Sequence, residues 1–426
     1  LILSRHTDHF IRDEILNNYR FFPALDAEPL LFYFLCLTTF FTPLSPALES
    51  VFISLSFIVY LFHIKQLNFI FPAFRPLGLS ILIFVLILFL SALYSTNIDG
   101  YRVASGYALL LLFIPSASVS WNNIKLISLI ACSISGIIIN FFIAGLMRLG
   151  LFSELAHNKM QYVGFSPHIG LSIVLCWLSI ASIILSTTNI YKPIRNLLLL
   201  SSALMVVQLF LAPGRSGQVA FILLSPILMI YFSIITLKRA IYAYFFIFFF
   251  VMVFILLDKH AYTHLYSGIN GILDFFSHPY YTHASWGIRI ADYYAAILMY
   301  INHPLFGVGV GMFKKFLETY QHNGLSPSTA PEFDSVANNI YLTTAATTGT
   351  IGLAILLQIT FLIGKMCIKL RFSIAKIITS TFFFVFFFSS LYNDTFGFFT
   401  GPYFAIMVGI LIYYYYSADS TMRGIK

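Results

Sequence analysis

The chain has 426 residues, of which only 9% are charged and 59% are hydrophobic. Soluble domains carry about 25% charged residues, so these charges are too few to solvate a globular surface. The apolar residues form long runs such as 78–95 and 241–257, and runs of about 18 or more apolar residues are typical of transmembrane helices. The composition therefore excludes a soluble enzyme, a nucleic-acid-binding protein and a disordered chain, despite the net charge of +8.

The apolar runs predict an all-α polytopic membrane protein with about twelve transmembrane helices. A crossing needs about 20 apolar residues. On that basis, we expect spans at 28–45, 47–63, 77–95, 104–120, 124–147, 169–187, 197–212, 218–236, 241–257, 340–364, 374–391 and 400–417. The four cysteines lie within or just after these runs, with no CxxC pair and no histidine at metal-ligand spacing, so we predict neither a disulfide nor a zinc site.

The distribution of lysine and arginine predicts the topology. A cytoplasmic N-terminus places sixteen of these residues inside and eight outside, as the positive-inside rule favours. We therefore expect both termini in the cytoplasm and one large helical loop, 258–338, outside the membrane. The predicted organisation is spans one to nine in 1–257, the loop in 258–338, and spans ten to twelve with a cytoplasmic tail in 339–426.

The first polar cluster is the short insert 213–217, which joins two apolar runs and carries Arg215 between Gly214 and Ser216-Gly217. An arginine at membrane depth costs about 2.5–3.5 kcal/mol on insertion scales unless it snorkels or is paired. Glycines allow close approach to the backbone. Arg215 is therefore either an interfacial snorkelling residue or part of an anion clamp.

Arg289 is a second candidate, near the start of an amphipathic stretch in the loop. A guanidinium matches phosphate oxygens in bidentate geometry, but Arg289 could equally form a salt bridge with Asp292 at i+3. The segment 303–311 follows, with alternate glycines that permit a tight turn or close packing. It lacks the βαβ context of a nucleotide-binding loop, and we reject that interpretation.

A third cluster, Asn338 and Asn339 followed by Tyr341, lies where the loop re-enters the membrane. These amides either line a cavity or include a helix N-cap at Asn339. His168 stands at the lip of the sixth span and is a further candidate. The sequence Asn393-Asp394 between the last two spans is a weaker signal of the same kind.

Taken together, these motifs resemble the O-antigen ligase family of polytopic membrane glycosyltransferases, whose superfamily also contains O-antigen polymerases. The turn 214–217 is similar to the family's Gly-Arg-Ser/Thr-Gly turn, and Arg289 precedes a segment of the His-Pro-Leu-Phe-Gly-Val-Gly type at 303–311. The family signature is His, then Asn, Ser or Gln, nine residues, Gly, two residues, and Gly, Thr or Tyr. From Asn339 through Gly349 to Gly352 the sequence fits, and the resemblance covers roughly 160–400.

One position departs from the family. Asn338 occupies the place of the family histidine, and a side-chain amide has no nitrogen that accepts a proton at neutral pH. The resemblance implies that this histidine activates or orients the acceptor hydroxyl. Either the chain is a natural variant with weaker or different chemistry, or Asn338 replaces a native histidine and stalls turnover. We favour the second hypothesis, which a genomic asparagine would contradict.

The resemblance implies a GT-C-like enzyme in the bacterial inner membrane with its active site facing the periplasm. It would transfer a glycan from undecaprenyl pyrophosphate to lipid A-core in lipopolysaccharide biosynthesis, with no cofactor and no metal ion. Arg215 and Arg289 would stabilise the leaving pyrophosphate, and Asn338 would stand at the acceptor. Further substrate-binding candidates are Gly214, Ser216, Gly217, Asn339, Tyr341 and His168.

Three alternatives to this function stay open at the sequence level. An O-antigen polymerase would use the same donor with a second lipid-linked glycan as acceptor. A transporter of lipid-linked oligosaccharides would move its substrate without forming a product. A purely structural membrane protein should tolerate the loss of Arg215 or Arg289.

Overall fold

A computed structural model of the chain describes residues 26–63, 75–95, 98–149, 164–188, 190–236, 281–282, 285–325, 328–329, 336–396 and 399–423, and a few isolated positions between 238 and 277. In chain order the helices are α1 (Ala27–Phe41), α2 (Pro46–Phe62), α3 (Pro76–Ser95), α4 (Ile98–Ala108), α5 (Phe113–Ala117), α6 (Asn123–Arg148), α7 (His168–Ser186), α8 (Lys192–Leu211), α9 (Arg215–Tyr231), α10 (Ser285–Asn302), α11 (Phe313–His322), α12 (Ile340–Lys369), α13 (Ile374–Ser390) and α14 (Gly401–Arg423).

The helical character predicted from the sequence is confirmed. Two-residue strands, β1 (Tyr281–Thr282) and β2 (Ser328–Thr329), form a short parallel ladder in the loop. Among the described residues, five helices are long and apolar enough to cross a membrane, namely Pro76–Ser95, Asn123–Met147, His168–Ser186, Lys192–Leu211 and Ile340–Lys369. The predicted ninth span, 241–257, lies outside the described residues, and the number of twelve crossings stays a prediction.

The predicted fourth span, 104–120, is an interrupted helix. A 3₁₀ segment, Leu109–Leu112, separates α4 from α5. Pro115 follows that segment, and its ring has no N–H to donate to the carbonyl four residues earlier and clashes with it. This proline is the local reason why the α-helical ladder breaks within the span.

Helix α7 is the centre of the described bundle. All of its residues from 171 to 182 are buried, and the helix packs against α8, α9 and α13. Trp177 is fully buried, donates its Nε1–H to the Ile378 carbonyl at 3.1 Å, and meets the Phe382 ring edge-on with a centroid distance of 4.9 Å. This packing fixes the first residue of α7, His168, at one end of the bundle.

Three side-chain contacts lie at the end of the bundle opposite His168. Lys125 pairs with Glu28, the Arg75 guanidinium lies 4.3 Å from the centre of the Tyr416 ring, and the Lys376 ammonium lies 5.5 Å from that of Tyr231. Each pair joins residues that the predicted topology places on the cytoplasmic side. The relative sidedness of these helix ends therefore agrees with the predicted topology.

Helix α12 contains a sharp break at Gly349, where φ is +68° and ψ is −161°. The Thr350 amide donates to the Pro304 carbonyl at 2.7 Å. The Ala346 and Thr347 carbonyls accept from the amides of Val308 and Gly309 at 2.8 and 3.0 Å. The break thus directs backbone groups of α12 toward the 303–311 segment and docks that segment against the helix.

Candidate functional site

The turn 213–217 places Arg215 as the first residue of α9. The Gly217 amide donates to Ser172 Oγ on α7 at 3.1 Å, and a Cβ at Gly217 would overlap the Ser172 carbonyl. A Cβ at Gly214 would likewise overlap the Ser172 side chain and the His168 carbonyl oxygen. These glycines therefore let α9 approach α7, and their predicted contact with substrate stays a prediction. The packing holds Arg215, which is half-buried, beside the first turn of α7.

Arg289 reaches the same place from α10, where it is also half-buried. Its positive charge acts on both Arg215 and His168. The same charge lowers the pKa of Tyr293, although burial has the larger effect and raises that pKa overall. Residues 168, 215 and 289, which are far apart in the sequence, are thus brought within electrostatic range at one end of the bundle.

Two like charges at one partly desolvated place repel each other. Each guanidinium stays protonated in proteins, so the repulsion is not relieved by loss of a proton. A polyanion between the two guanidiniums would replace this repulsion by attraction and accept bidentate hydrogen bonds. The arrangement of Arg215 and Arg289 is therefore suited to a phosphate or diphosphate group.

Asn338 lies directly before the start of α12 and faces a carboxylate. Its φ of +48° is in the left-handed region, which asparagine tolerates better than most residues. Its Nδ2 donates to Asp292 Oδ2 at 3.4 Å, and Asp292 is fully buried while Asn338 is 7% exposed. The Tyr293 hydroxyl donates to the Asn338 carbonyl at 3.3 Å. Position 338, where the resemblance implies a histidine, therefore faces a buried acidic group.

Asn339 is the N-cap of α12. Its Oδ1 accepts from the amides of Tyr341 and Leu342, each at 3.0 Å, and its Nδ2 donates to the Leu391 carbonyl at 2.7 Å. The N-cap interpretation of the sequence is thus confirmed, while a contact of Asn339 with substrate stays a prediction. The ring of Tyr341 packs against the main apolar core, so the structure gives it a packing function.

The segment 391–393, between α13 and α14, contacts the turn 213–217. Asn393 Nδ2 donates to Ser216 Oγ at 2.7 Å, and the Tyr392 hydroxyl donates to the Ser216 carbonyl at 3.0 Å. Ser216 is therefore held by two side chains from one loop. Burial raises the pKa of Tyr392, against a smaller lowering effect of the Arg289 charge.

Several residues of this site did not emerge as candidates from the sequence. Asp292 was visible only as a neighbour of Arg289 one helical turn away, and its partner is 46 residues later in the chain. Ser172 and Tyr392 carry no motif of their own. In the part of the chain that the structure describes, no three His, Cys, Asp or Glu side chains are grouped so as to hold a metal ion.

The family model described as O-antigen ligase matches residues 200–357. The matched region contains the turn 213–217, Arg289, Asp292 and the segment from Asn338 to Gly352. It leaves out His168 and the segment 391–393, which the structure brings to the same end of the bundle. None of the curated proteins matches the chain.

Proposed function

We propose that this chain, whose residues 200–357 match the family model described as O-antigen ligase, transfers a glycan from undecaprenyl pyrophosphate to lipid A-core. The single observation that carries the proposal is the convergence of Arg215 and Arg289, which repel each other in a partly desolvated site. Such a pair suits the charge that develops on a diphosphate leaving group. The family match supports a membrane glycosyltransferase that works on lipid-linked glycans.

In the proposed reaction, a hydroxyl oxygen of the acceptor attacks the anomeric carbon of the donor glycan. The bond from that carbon to the pyrophosphate oxygen breaks, and the electron pair leaves with undecaprenyl pyrophosphate. Arg215 and Arg289 stabilise the leaving group through charge-assisted hydrogen bonds. They supply the positive charge that a divalent cation provides in other phosphate-transfer sites, so we expect transfer without added metal.

The acceptor hydroxyl must also lose its proton. An amide at position 338 can orient the hydroxyl but cannot take up the proton at neutral pH, so in this chain the proton passes to water. An imidazole at position 338 would act as general base, and Asp292 would orient it. We propose that the chain is a slow or stalled form of the transferase for this reason.

The site faces the periplasm in this proposal. One end of the bundle holds positions 168, 215, 289, 338 and 391, and the other end holds the pairs of Glu28 with Lys125 and Arg75 with Tyr416. This separation supports the proposal. The end with Lys125 and Arg75 carries the excess of Lys and Arg, which supports a cytoplasmic location for that end. The first end would then be open to a donor that has been moved across the inner membrane.

A transfer assay with two acceptors tests the function. Purified protein and its Asn338→His variant receive undecaprenyl pyrophosphate-linked glycan together with either lipid A-core or a second lipid-linked glycan. Product on lipid A-core, formed faster by the variant, is the expected result. Elongated lipid-linked glycan would instead establish a polymerase. Binding of the donor without any product in either variant would point to transport and contradict the transferase proposal.

A further inference from the structure

The loop segment 391–393 joins three parts of the candidate site. Its Leu391 carbonyl accepts from Asn339 Nδ2 at 2.7 Å and from the Tyr293 hydroxyl at 3.5 Å. Tyr392 and Asn393 both hold Ser216, the residue after Arg215. The segment thus contacts the start of α9, the Arg289 helix α10 and the start of α12, and it lies outside the region that the family model matches.

The contact between Asn393 and Ser216 is buried on both sides. Asn393 is 1% exposed and Ser216 is 3% exposed, and the distance of 2.7 Å lies at the short end of the normal range for an N–H···O hydrogen bond. Removing one partner of a buried hydrogen bond leaves the other unsatisfied, which is destabilising. The first turn of α9 therefore depends on Asn393 for its position relative to α13.

We propose that segment 391–393 is a positioning element of the donor site, and that Asn393 sets the place of the Arg215 guanidinium through Ser216. The inference rests on the proposed function in one respect, the diphosphate that Arg215 and Arg289 would bind. Asn393 itself does not touch this group. Its effect on the donor is exerted through the backbone of residues 215 and 216.

Binding of undecaprenyl pyrophosphate to the purified full chain measures this effect without any turnover. We expect Asn393→Ala to weaken binding about tenfold, as the loss of about 1.4 kcal/mol does. The change should also be non-additive. Because Asn393 acts through Ser216 on Arg215, Asn393→Ala should have less than about a threefold further effect in the Ser216→Ala or the Arg215→Ala background.

The matched control is Asn140→Ala. Asn140 is likewise a buried amide that donates to a buried serine hydroxyl, that of Ser166, at 3.4 Å. Both substitutions should lower the thermal stability of the protein, but only Asn393→Ala should weaken binding of the carrier. Equal weakening by both variants would reduce Asn393 to a general packing residue and overturn the proposal.

Two further results separate this inference from the proposed function. In the first, Asn393→Ala weakens carrier binding non-additively with Arg215→Ala, while the Asn338→His variant transfers no glycan. That result would support the positioning element and contradict the transferase. Transfer to lipid A-core with unchanged carrier binding in Asn393→Ala would support the transferase and overturn the positioning element. A full tenfold effect of Asn393→Ala in the Arg215→Ala background would also overturn it.

Discussion

At the residue scale, the side chain at position 338, which contacts Asp292, limits the proton transfer that the proposed reaction requires. General base catalysis contributes about 10²–10⁴-fold to a rate, and an amide cannot provide it. We expect Asn338→His to raise kcat for transfer to lipid A-core by about 10²-fold or more. A rate unchanged by this substitution would remove position 338 from the proton transfer.

Asp292 gives a second, independent readout in the same background. A buried carboxylate beside an imidazole favours the protonated imidazole and raises its pKa. Removing that charge with Asp292→Asn should therefore lower the pKa of the introduced imidazole. The acidic limb of the profile of kcat/KM against pH should move to lower pH by about one pH unit or more. Asp99→Asn, at an exposed carboxylate that pairs with Arg102, is the control and should leave the limb in place.

Asp394 predicts a pH dependence of stability. Burial raises its pKa to about 6, although hydrogen bonds from the Phe396 amide and the Tyr107 hydroxyl favour the charged form. The folded state thus binds this proton more strongly than the unfolded state, whose value is about 3.9. The stabilisation that the protonated Asp394 carboxyl group provides is fully present below pH 4 and is lost as the pH rises through 6.

Asp394→Asn removes this charge while keeping an oxygen that can accept from Phe396. We expect the variant to melt about 2–4 °C higher than the parent at pH 8, and to melt at the same temperature at pH 4. Thermal unfolding at several pH values measures both. A variant that is less stable at pH 8 would show that the charged Asp394 is a favourable element of the fold.

At the element scale, the break in α12 docks the 303–311 segment against that helix. Gly349 has a positive φ, and a Cβ there would overlap the Leu305 carbonyl carbon and oxygen. Gly349→Ala should therefore destabilise the protein by about 1–3 kcal/mol and reduce transfer. Gly364→Ala is the matched control on the same helix, where no atom lies within 4 Å of the added Cβ.

Since alanine has a better helix propensity than glycine, Gly364→Ala should be neutral or stabilising, with unchanged transfer. Thermal unfolding and the transfer rate of both variants check this contrast. Equal behaviour of the two variants would mean that the break at Gly349 has no part in docking the segment.

The elements themselves were largely predictable, because hydropathy over about 20 residues reports burial in lipid directly. The close packing expected for the alternate glycines is also confirmed, since Gly307 and Gly309 have positive φ and meet α12 or α3. The break at Gly349 was not predictable in the same way. A hydropathy average carries no information about which backbone hydrogen bond is redirected to a distant loop.

At the scale of the whole molecule, the contacts separate the two ends of the bundle in agreement with the charge distribution, and the absolute orientation can be tested. Lys314 on α11 and Lys192 on α8 are both exposed and are predicted to lie on opposite sides. In intact cells, a membrane-impermeant maleimide should label Lys314→Cys and should label Lys192→Cys only after the inner membrane is opened. The reverse pattern would invert the topology and place the site in the cytoplasm.

The site could be predicted only in part. Arg215, Arg289 and Asn338 were identified because each belongs to a short motif. All three lie within the region that the family model matches. Asn393 was only a weaker signal and Ser172 was not identified, since their hydrogen bonds are to residues 177 and 45 positions away. Such pairings follow from how the helices pack against one another, which a single sequence does not report.

In the proposed reaction, Arg215 and Arg289 act together on a diphosphate leaving group. The most direct measurement is the transfer rate to lipid A-core of Arg215→Ala and Arg289→Ala, each in the Asn338→His background, with Arg102→Ala as the control at an arginine whose side chain is 79% exposed. We expect each of the first two substitutions to abolish transfer in a folded protein, and Arg102→Ala to retain it. Full activity of either site variant would contradict the claim for that arginine.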